Sequence, residues 1–161
     1  MSPVIGISLA LWRPHAMVQI CQYINGRQTT VTETEFLELE YPPHSLIVDT
    51  LRQQVRWPNG VLTSFSEIPI APQSWRIFMG FARRPDVVLG PDRLEAWLDR
   101  PVAGPTLATA VCQIRRHLKE SLGTIEIVNV NRNHIDFPIT EGPLYILRRS
   151  NIDVTLITST T

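Results

Sequence analysis

The residues best suited to chemistry lie in TLATAVCQIRRHLKE, Thr106 to Glu120. Helical spacing puts Leu107, Val111, Ile114 and Leu118 on one apolar stripe and turns Thr106, Thr109, Ala110, Gln113, Arg116 and His117 elsewhere. That polar set has a specific use. A Gln amide can bond an adenine edge through both its atoms, and Thr and Ala fit a thymine methyl. Arg115, Arg116 and Lys119 can bind phosphates, and Arg can also read guanine. A second set, Asn131, Arg132, Asn133 and His134, stands in NVNRNH, an expected hairpin tip able to reach a minor groove or a phosphate backbone. Each set also has a plainer use. Arg, His and Lys at a helix end offset its dipole, and an Asn-rich turn closes many hairpins. The elements that carry these residues have to decide.

Other chemistries find little support. His15, His44, His117 and His134 are scattered, and no G-x-S-x-G, G-x-G-x-x-G or phosphate-binding glycine loop occurs. No enzyme is expected. The close carboxylates of EFLELE are most simply the solvated face of an amphipathic helix. Cys21 and Cys112 form no C-x-x-C and read as buried free thiols in a reducing cytosol, so neither metal nor cofactor is expected. The four tryptophans, Trp12, Trp57, Trp75 and Trp97, read as packing residues. The chain has 161 residues, 43% of them hydrophobic, and no formal net charge. That suffices for one ordinary domain or two small ones, and it excludes a polycation that coats nucleic acid indiscriminately. The first residues lack the basic start of a signal peptide, and no apolar run is long enough for a membrane span. A soluble, cytoplasmic protein is expected.

The prolines divide the chain. Val4 to Leu11 reads as a strand. Pro14 opens a helix with Met17, Ile20, Cys21 and Ile24 on one face, closed by Asn25-Gly26. Thr32 caps a second helix, with Glu35 completing a capping box, and Pro42-Pro43 ends it. Ser45 to Val55 reads as a third helix, Trp57 to Gly60 as a turn, and VLTSFSEIPI as two short strands. From Pro72 the same grammar returns: a helix with Trp75, Phe78, Met79 and Ala82, an extended piece at Val87 to Leu89, the helix PDRLEAWL, then the helix of Thr106 to Glu120. Gly123 ends that helix, and TIEIVNVNRNHIDFPI reads as two strands about Asn131 to Asn133. Residues 12–40 slide onto 70–98 without a gap, Pro14 falling on Pro72 and Ile20 on Phe78, with very low residue identity. The pattern predicts an α+β chain of two copies, each with three helices and a β-hairpin: 1–71 and 72–140. Residues 141–161 are expected to form a C-terminal hairpin about Ser150-Asn151.

Three helices and a two-stranded wing resemble the winged helix-turn-helix DNA-binding domain of the OmpR/PhoB response-regulator family. IAPQSWRIFMGFA, DVVLGPDRLEAWL, CQIRRHL and IEIVNVNRNHIDF carry the resemblance in order. The first copy offers LWRPHAMVQICQYI, TTVTETEFLEL, DTLRQQV and VLTSFSEIPI. The family also places strands ahead of the first helix. No receiver domain is recognisable ahead of the first copy, so no phosphoacceptor Asp is expected. The resemblance implies a sequence-specific regulator of transcription that binds double-stranded DNA through Thr106, Thr109, Gln113, Arg115, Arg116, Lys119, Asn131, Arg132 and Asn133. The first copy is poorer for that role. Asp49 would face phosphates beside Arg52 and Gln53, and Glu33, Glu35, Glu38 and Glu40 make it acidic. Residues 1–71 hold four basic and six acidic side chains, residues 72–138 nine and seven. The acidic copy is expected to meet RNA polymerase or another regulator, and strands 144–157 to promote a homodimer. The alternative is a protein-interaction module that keeps the winged scaffold and has lost DNA binding.

Overall fold

A computed structural model describes residues 19–38, 40–41, 44–65, 72–98, 102–130 and 142–159. The expected strand at Val4 to Leu11, the helix start at Pro14, the Asn131 to His134 tip, Trp12 and the side chain of Trp97 lie outside them. The described chain is mixed α and β. In order it contains β1 (Gln19–Ile24), β2 (Arg27–Thr32), α1 (Glu33–Leu37), β3 (Leu46–Asp49), β4 (Gln54–Arg56), β5 (Leu62–Ser64), α2 (Pro72–Arg83), β6 (Val88–Leu89), α3 (Pro91–Leu98), α4 (Gly104–His117), β7 (Ile125–Asn129), β8 (Tyr145–Arg149) and β9 (Val154–Ser159). A 3₁₀ turn, Leu118–Ser121, extends α4.

The second half matches its expected order. Three helices, α2, α3 and α4, are followed by the antiparallel pair β7 and β8, and the short β6 joins β8 to give the order β6-β8-β7. β7 pairs with Tyr145–Arg149, and the backbone N–H of Val130 bonds Leu144 O at 2.9 Å; the strand expected after Asn133 lies outside the described residues.

The first half is corrected. Residues 19–24 form a strand where a helix was expected. Asn25 and Gly26 both have positive φ, 51° and 85°, which makes them a two-residue hairpin turn and not a helix end. Thr29, Thr30, Val31 and Thr32 are β-branched and suit the second arm. The helical look of Ile20, Cys21 and Ile24 arises because β1 is interior and partly covered on both faces, so apolar side chains need not alternate. The expected helix over Ser45 to Val55 is likewise β3, a turn and β4. Leu46, Ile47, Val48 and Asp49 are all buried, and Gln53 turns the chain with φ 55°. A short apolar run of this kind has no period to distinguish strand from helix. Only α1 survives of the three helices. Thr32 caps it as expected, its hydroxyl accepting from the Glu35 N–H at 3.2 Å. Of the two strands expected in VLTSFSEIPI, β5 pairs with β4 across the Trp57–Gly60 turn.

The expected terminal hairpin is corrected too. β8 is the middle strand of the smaller sheet, and β9 lies between β1 and β3 in a sheet ordered β2-β1-β9-β3-β4-β5. β9 runs antiparallel to β1 and parallel to β3. Both strands thus have neighbours on both sides, and neither offers an edge to another chain. One core crosses the expected boundaries at 71 and 140. Leu46, Val48, Val55 and Trp57 pack with Ile77, Phe78 and Phe81 of α2, Leu107, Val111 and Ile114 of α4, and Leu147, Val154 and Leu156. A small second cluster, Ile20, Phe36, Ile47 and Ile157, lies under α1 on the other face of the large sheet.

The two sheets are bolted together at Asn25. Its side-chain oxygen accepts from Arg149 Nη1 at 2.6 Å and from the Val154 N–H at 3.0 Å, and its amide nitrogen donates to Asp153 at 2.7 Å. Arg149 also donates to Asp86 at 2.7 Å and to Ile152 O at 2.7 Å.

Candidate nucleic-acid interface on α4

The buried stripe of α4 is Leu107, Ala110, Val111 and Ile114, with Leu118 following in the 3₁₀ turn. At 3.6 residues per turn this leaves three lanes on the other side. Pro105, Thr109, Cys112, Arg116 and Lys119 run down the middle and are exposed. Cys112 is therefore a surface thiol, contrary to expectation, whereas Cys21 is buried. Thr106 and Gln113 lie on the flank towards α2, and Arg115 on the flank towards β7.

On the α2 flank the helix borders an open groove of about 320 Å³ lined by Gln73, Ser74, Pro105, Thr106, Thr109, Ala110 and Gln113. Buried Ser74 donates its hydroxyl to Gln113 Oε1 at 2.7 Å. The amide carbonyl is thus held from behind, and the amide N–H₂ is the group left to address a ligand. Neither Gln73 nor Ser74 was foreseen from sequence, where nothing tells that the first turn of α2 abuts the first half of α4.

On the β7 flank, Arg115 has a task other than the expected phosphate contact. Its Nε donates to Ile127 O at 2.9 Å and its Nη2 to Asn129 Oδ1 at 2.8 Å, and the guanidinium lies 5.8 Å from the centre of the Tyr145 ring. It ties the helix to the end of β7. Arg116 and Lys119 remain outward cations. His117 is half-buried, and burial together with the neighbouring Arg116 charge lowers its pKa, so it adds no charge at neutral pH. Exposed Glu120 and Glu126 temper the positive end.

The approach to α4 of the arm leading into β8 depends on two glycines. Gly142 has φ 89°, and a Cβ there would stand 2.8 Å from Pro91 Cγ; a Cβ on Gly104 would stand 3.2 Å from Pro143 Cδ. The returning arm therefore passes close to the first turns of both α3 and α4.

The first-half residues expected on a matching helix sit elsewhere. Asp49 is buried at the end of β3 and accepts from the N–H groups of Leu51 and Arg52 at 3.0 and 2.9 Å and from Arg52 Nη1 at 3.3 Å. Burial raises its pKa against these opposing bonds. Arg52 also covers the Phe36 ring at 4.2 Å, and Arg56 lies 5.7 Å from the centre of Tyr41. The Tyr41 hydroxyl is buried without a partner. Burial first, and the Asp49 charge second, push its pKa up to about 12. A cavity of about 220 Å³ lies among Tyr41, Ile47, Asp49, Arg52, Gln54, Arg56 and Leu62. Its acid is consumed by the turn it closes, so the cluster reads as a structural corner.

No family model, curated protein or solved structure matches the chain. No group of three His, Cys, Asp or Glu that could hold a metal ion occurs among the described residues, and none of their helices is long and apolar enough to cross a membrane.

Proposed function

We propose that the chain is a sequence-specific double-stranded DNA-binding regulator of transcription that places α4 in a major groove. The observation that carries this reading is the outer surface of α4. Groove-sized Thr106, Thr109 and Gln113 occupy its first three turns, and Arg116 and Lys119 stand at the end that would cross the phosphates. The order helix, strand, helix, helix, strand, strand from α2 to β8, with its three-stranded sheet, supports a winged helix-turn-helix. The strands β1 to β5 ahead of α2 support one copy of the OmpR/PhoB type with leading strands, not two in tandem. In this reading Asn131, Arg132 and Asn133 extend the contact from the wing, Arg115 aims that wing, and the work is done in the cytoplasm. Glu35, Glu38 and Glu40, all exposed beside α1, are the surface proposed for RNA polymerase or another regulator.

The test is a salt-titrated binding assay on mixed genomic fragments, with sequencing of those retained. Enrichment of a common site, with log K falling linearly in log salt, supports the reading. Retention no better than that of a neutral control protein overturns it. The second reading, a winged scaffold that binds protein, is favoured by Glu120 and Glu126 beside the cationic end of α4 and by the zero net charge.

A further inference from the structure

An amide side chain presents two unlike groups, a carbonyl that accepts and an N–H₂ that donates. To bond an adenine edge, a glutamine must turn both towards the base at once. Its carbonyl takes a hydrogen of the adenine N6 amino group while its N–H₂ gives one to N7. Gln113 has only one of the two to offer. Ser74 Oγ donates to Gln113 Oε1 at 2.7 Å, and Ser74 is only 4% exposed. The carbonyl is thus aimed at a buried hydroxyl of α2. The N–H₂ points away from it in the same rigid plane, on a residue that lines the open groove with Thr106, Thr109 and Ala110.

Releasing the carbonyl would strip the buried Ser74 hydroxyl of this acceptor, and a buried donor without an acceptor is costly. The fold therefore presents Gln113 as a donor alone. The four bases answer a lone donor differently in the major groove. Guanine sets two acceptors, N7 and O6, side by side. Adenine sets N7 beside an amino group that opposes the donor. Cytosine shows an amino group, and thymine shows O4 beside its methyl.

We propose that Gln113 reads guanine and discriminates against adenine, with Ser74 as the positioning residue that removes the adenine mode. The inference rests on the DNA-binding reading of α4. It replaces the adenine contact expected of a glutamine with both amide groups free.

The test is selection of sites from random duplexes by the full chain, alongside Gln113→Ala and Ser74→Ala. The column of the selected site that loses its preference in Gln113→Ala should be a G·C pair. Wild type should favour it over A·T about tenfold or more. A synthetic duplex with 7-deazaguanine in that column lacks N7. It should bind wild type about fivefold more weakly and Gln113→Ala no more weakly than the normal duplex does. Ser74→Ala frees the carbonyl and should bring A·T to within about threefold of G·C, a change that mere loss of stability would not produce. An A·T column overturns the proposal. So does a G·C column indifferent to 7-deazaguanine, because the amide would then accept from cytosine or touch no base there. A selected site with no column that responds to Gln113→Ala overturns it too, and leaves the DNA-binding reading standing. If no common site is selected, that reading fails and this inference with it. Should Ser74→Ala not fold, the base pair and the 7-deazaguanine result decide.

Discussion

Ser74 on α2 holds Gln113 on α4 through a 2.7 Å hydrogen bond, so the outer flank of one helix is set by the first turn of another. The serine is buried and the glutamine half-exposed, which makes Ser74 a positioning residue. Ser74→Ala should lower stability by about 1 kcal/mol in urea unfolding. It should also widen base preference at the single position that Gln113 faces, with the salt dependence of DNA binding unchanged. Preference equal to wild type would mean that Gln113 does not read a base.

The two neighbouring arginines of α4 should separate. Arg116 is an outward cation, and Arg116→Ala should flatten the slope of log K against log salt by about 0.9 per lost phosphate contact without altering the melting temperature. Arg115 is bonded to Ile127 O and Asn129, and Arg115→Ala should cost about 1.5–3 kcal/mol in unfolding free energy. Calorimetry and salt-titrated binding on the same two variants check both halves.

Asn25 should be among the least replaceable residues on the surface. Its side chain closes three hydrogen bonds between the β1–β2 turn, Arg149 and the start of β9, and its φ of 51° suits Asn. Asn25→Ala should destabilise by about 2–4 kcal/mol. Asn25→Gly should recover part of this, because it relieves the backbone while still removing one of the acceptors of Arg149. Denaturant titration of the pair separates conformation from hydrogen bonding.

Stability should depend on pH through Asp49. Its folded pKa lies above the ordinary 3.8, so between the two values the folded chain holds a proton that the unfolded chain has released. Stability contributed by that proton grows as pH falls through the raised folded value towards 3.8, and is lost as pH rises. Asp49→Asn can still accept from the turn N–H groups but does not titrate. The wild type should therefore gain on Asp49→Asn as the pH of urea unfolding is lowered from 7 towards about 4. A pH-independent difference would show that Asp49 does not carry the effect.

Gly142 tests the seating of the wing. A side chain there meets the Pro91 ring at 2.8 Å on a backbone with φ 89°. Gly142→Ala should cost about 1–3 kcal/mol and weaken DNA binding beyond that loss, since the arm it displaces starts beside α3 and α4. Binding that simply tracks folded fraction would detach the wing from recognition.

What was legible in sequence follows from how local each signal is. The period of α2, α3 and α4 is long and one-sided, Pro72 and Pro91 mark two starts, and Gly123 the last stop, so the second half could be read. The first half misled because β1 and β3 lie inside a sheet, where both faces can be apolar and the alternation that identifies a strand is erased. Asn25-Gly26 did carry the correcting signal, since that dipeptide closes hairpins more readily than it ends helices. The apparent repeat of 12–40 on 70–98 fails at its first described element, where strand 19–24 falls on helical 77–82, although helix α1 does fall on helix α3. On α4 the outward lane of Thr109, Arg116 and Lys119 was readable from spacing. The engagement of Arg115 with β7 and of Gln113 with Ser74 was not, because both partners come from other elements.

β9 has a consequence for how the chain is made. It is the last strand of the described chain, yet it lies between β1 and β3 and carries Val154 and Leu156 into the common core. The hairpin of β1 and β2 and the run of β3 to β5 have no bond to each other in the large sheet until it arrives. During synthesis the two half-sheets therefore stand with raw inner edges until β9 has emerged. The large sheet is closed by insertion of a strand distant in sequence, at high contact order, and a chain stalled or clipped before Val154 is a natural client for chaperones and proteases.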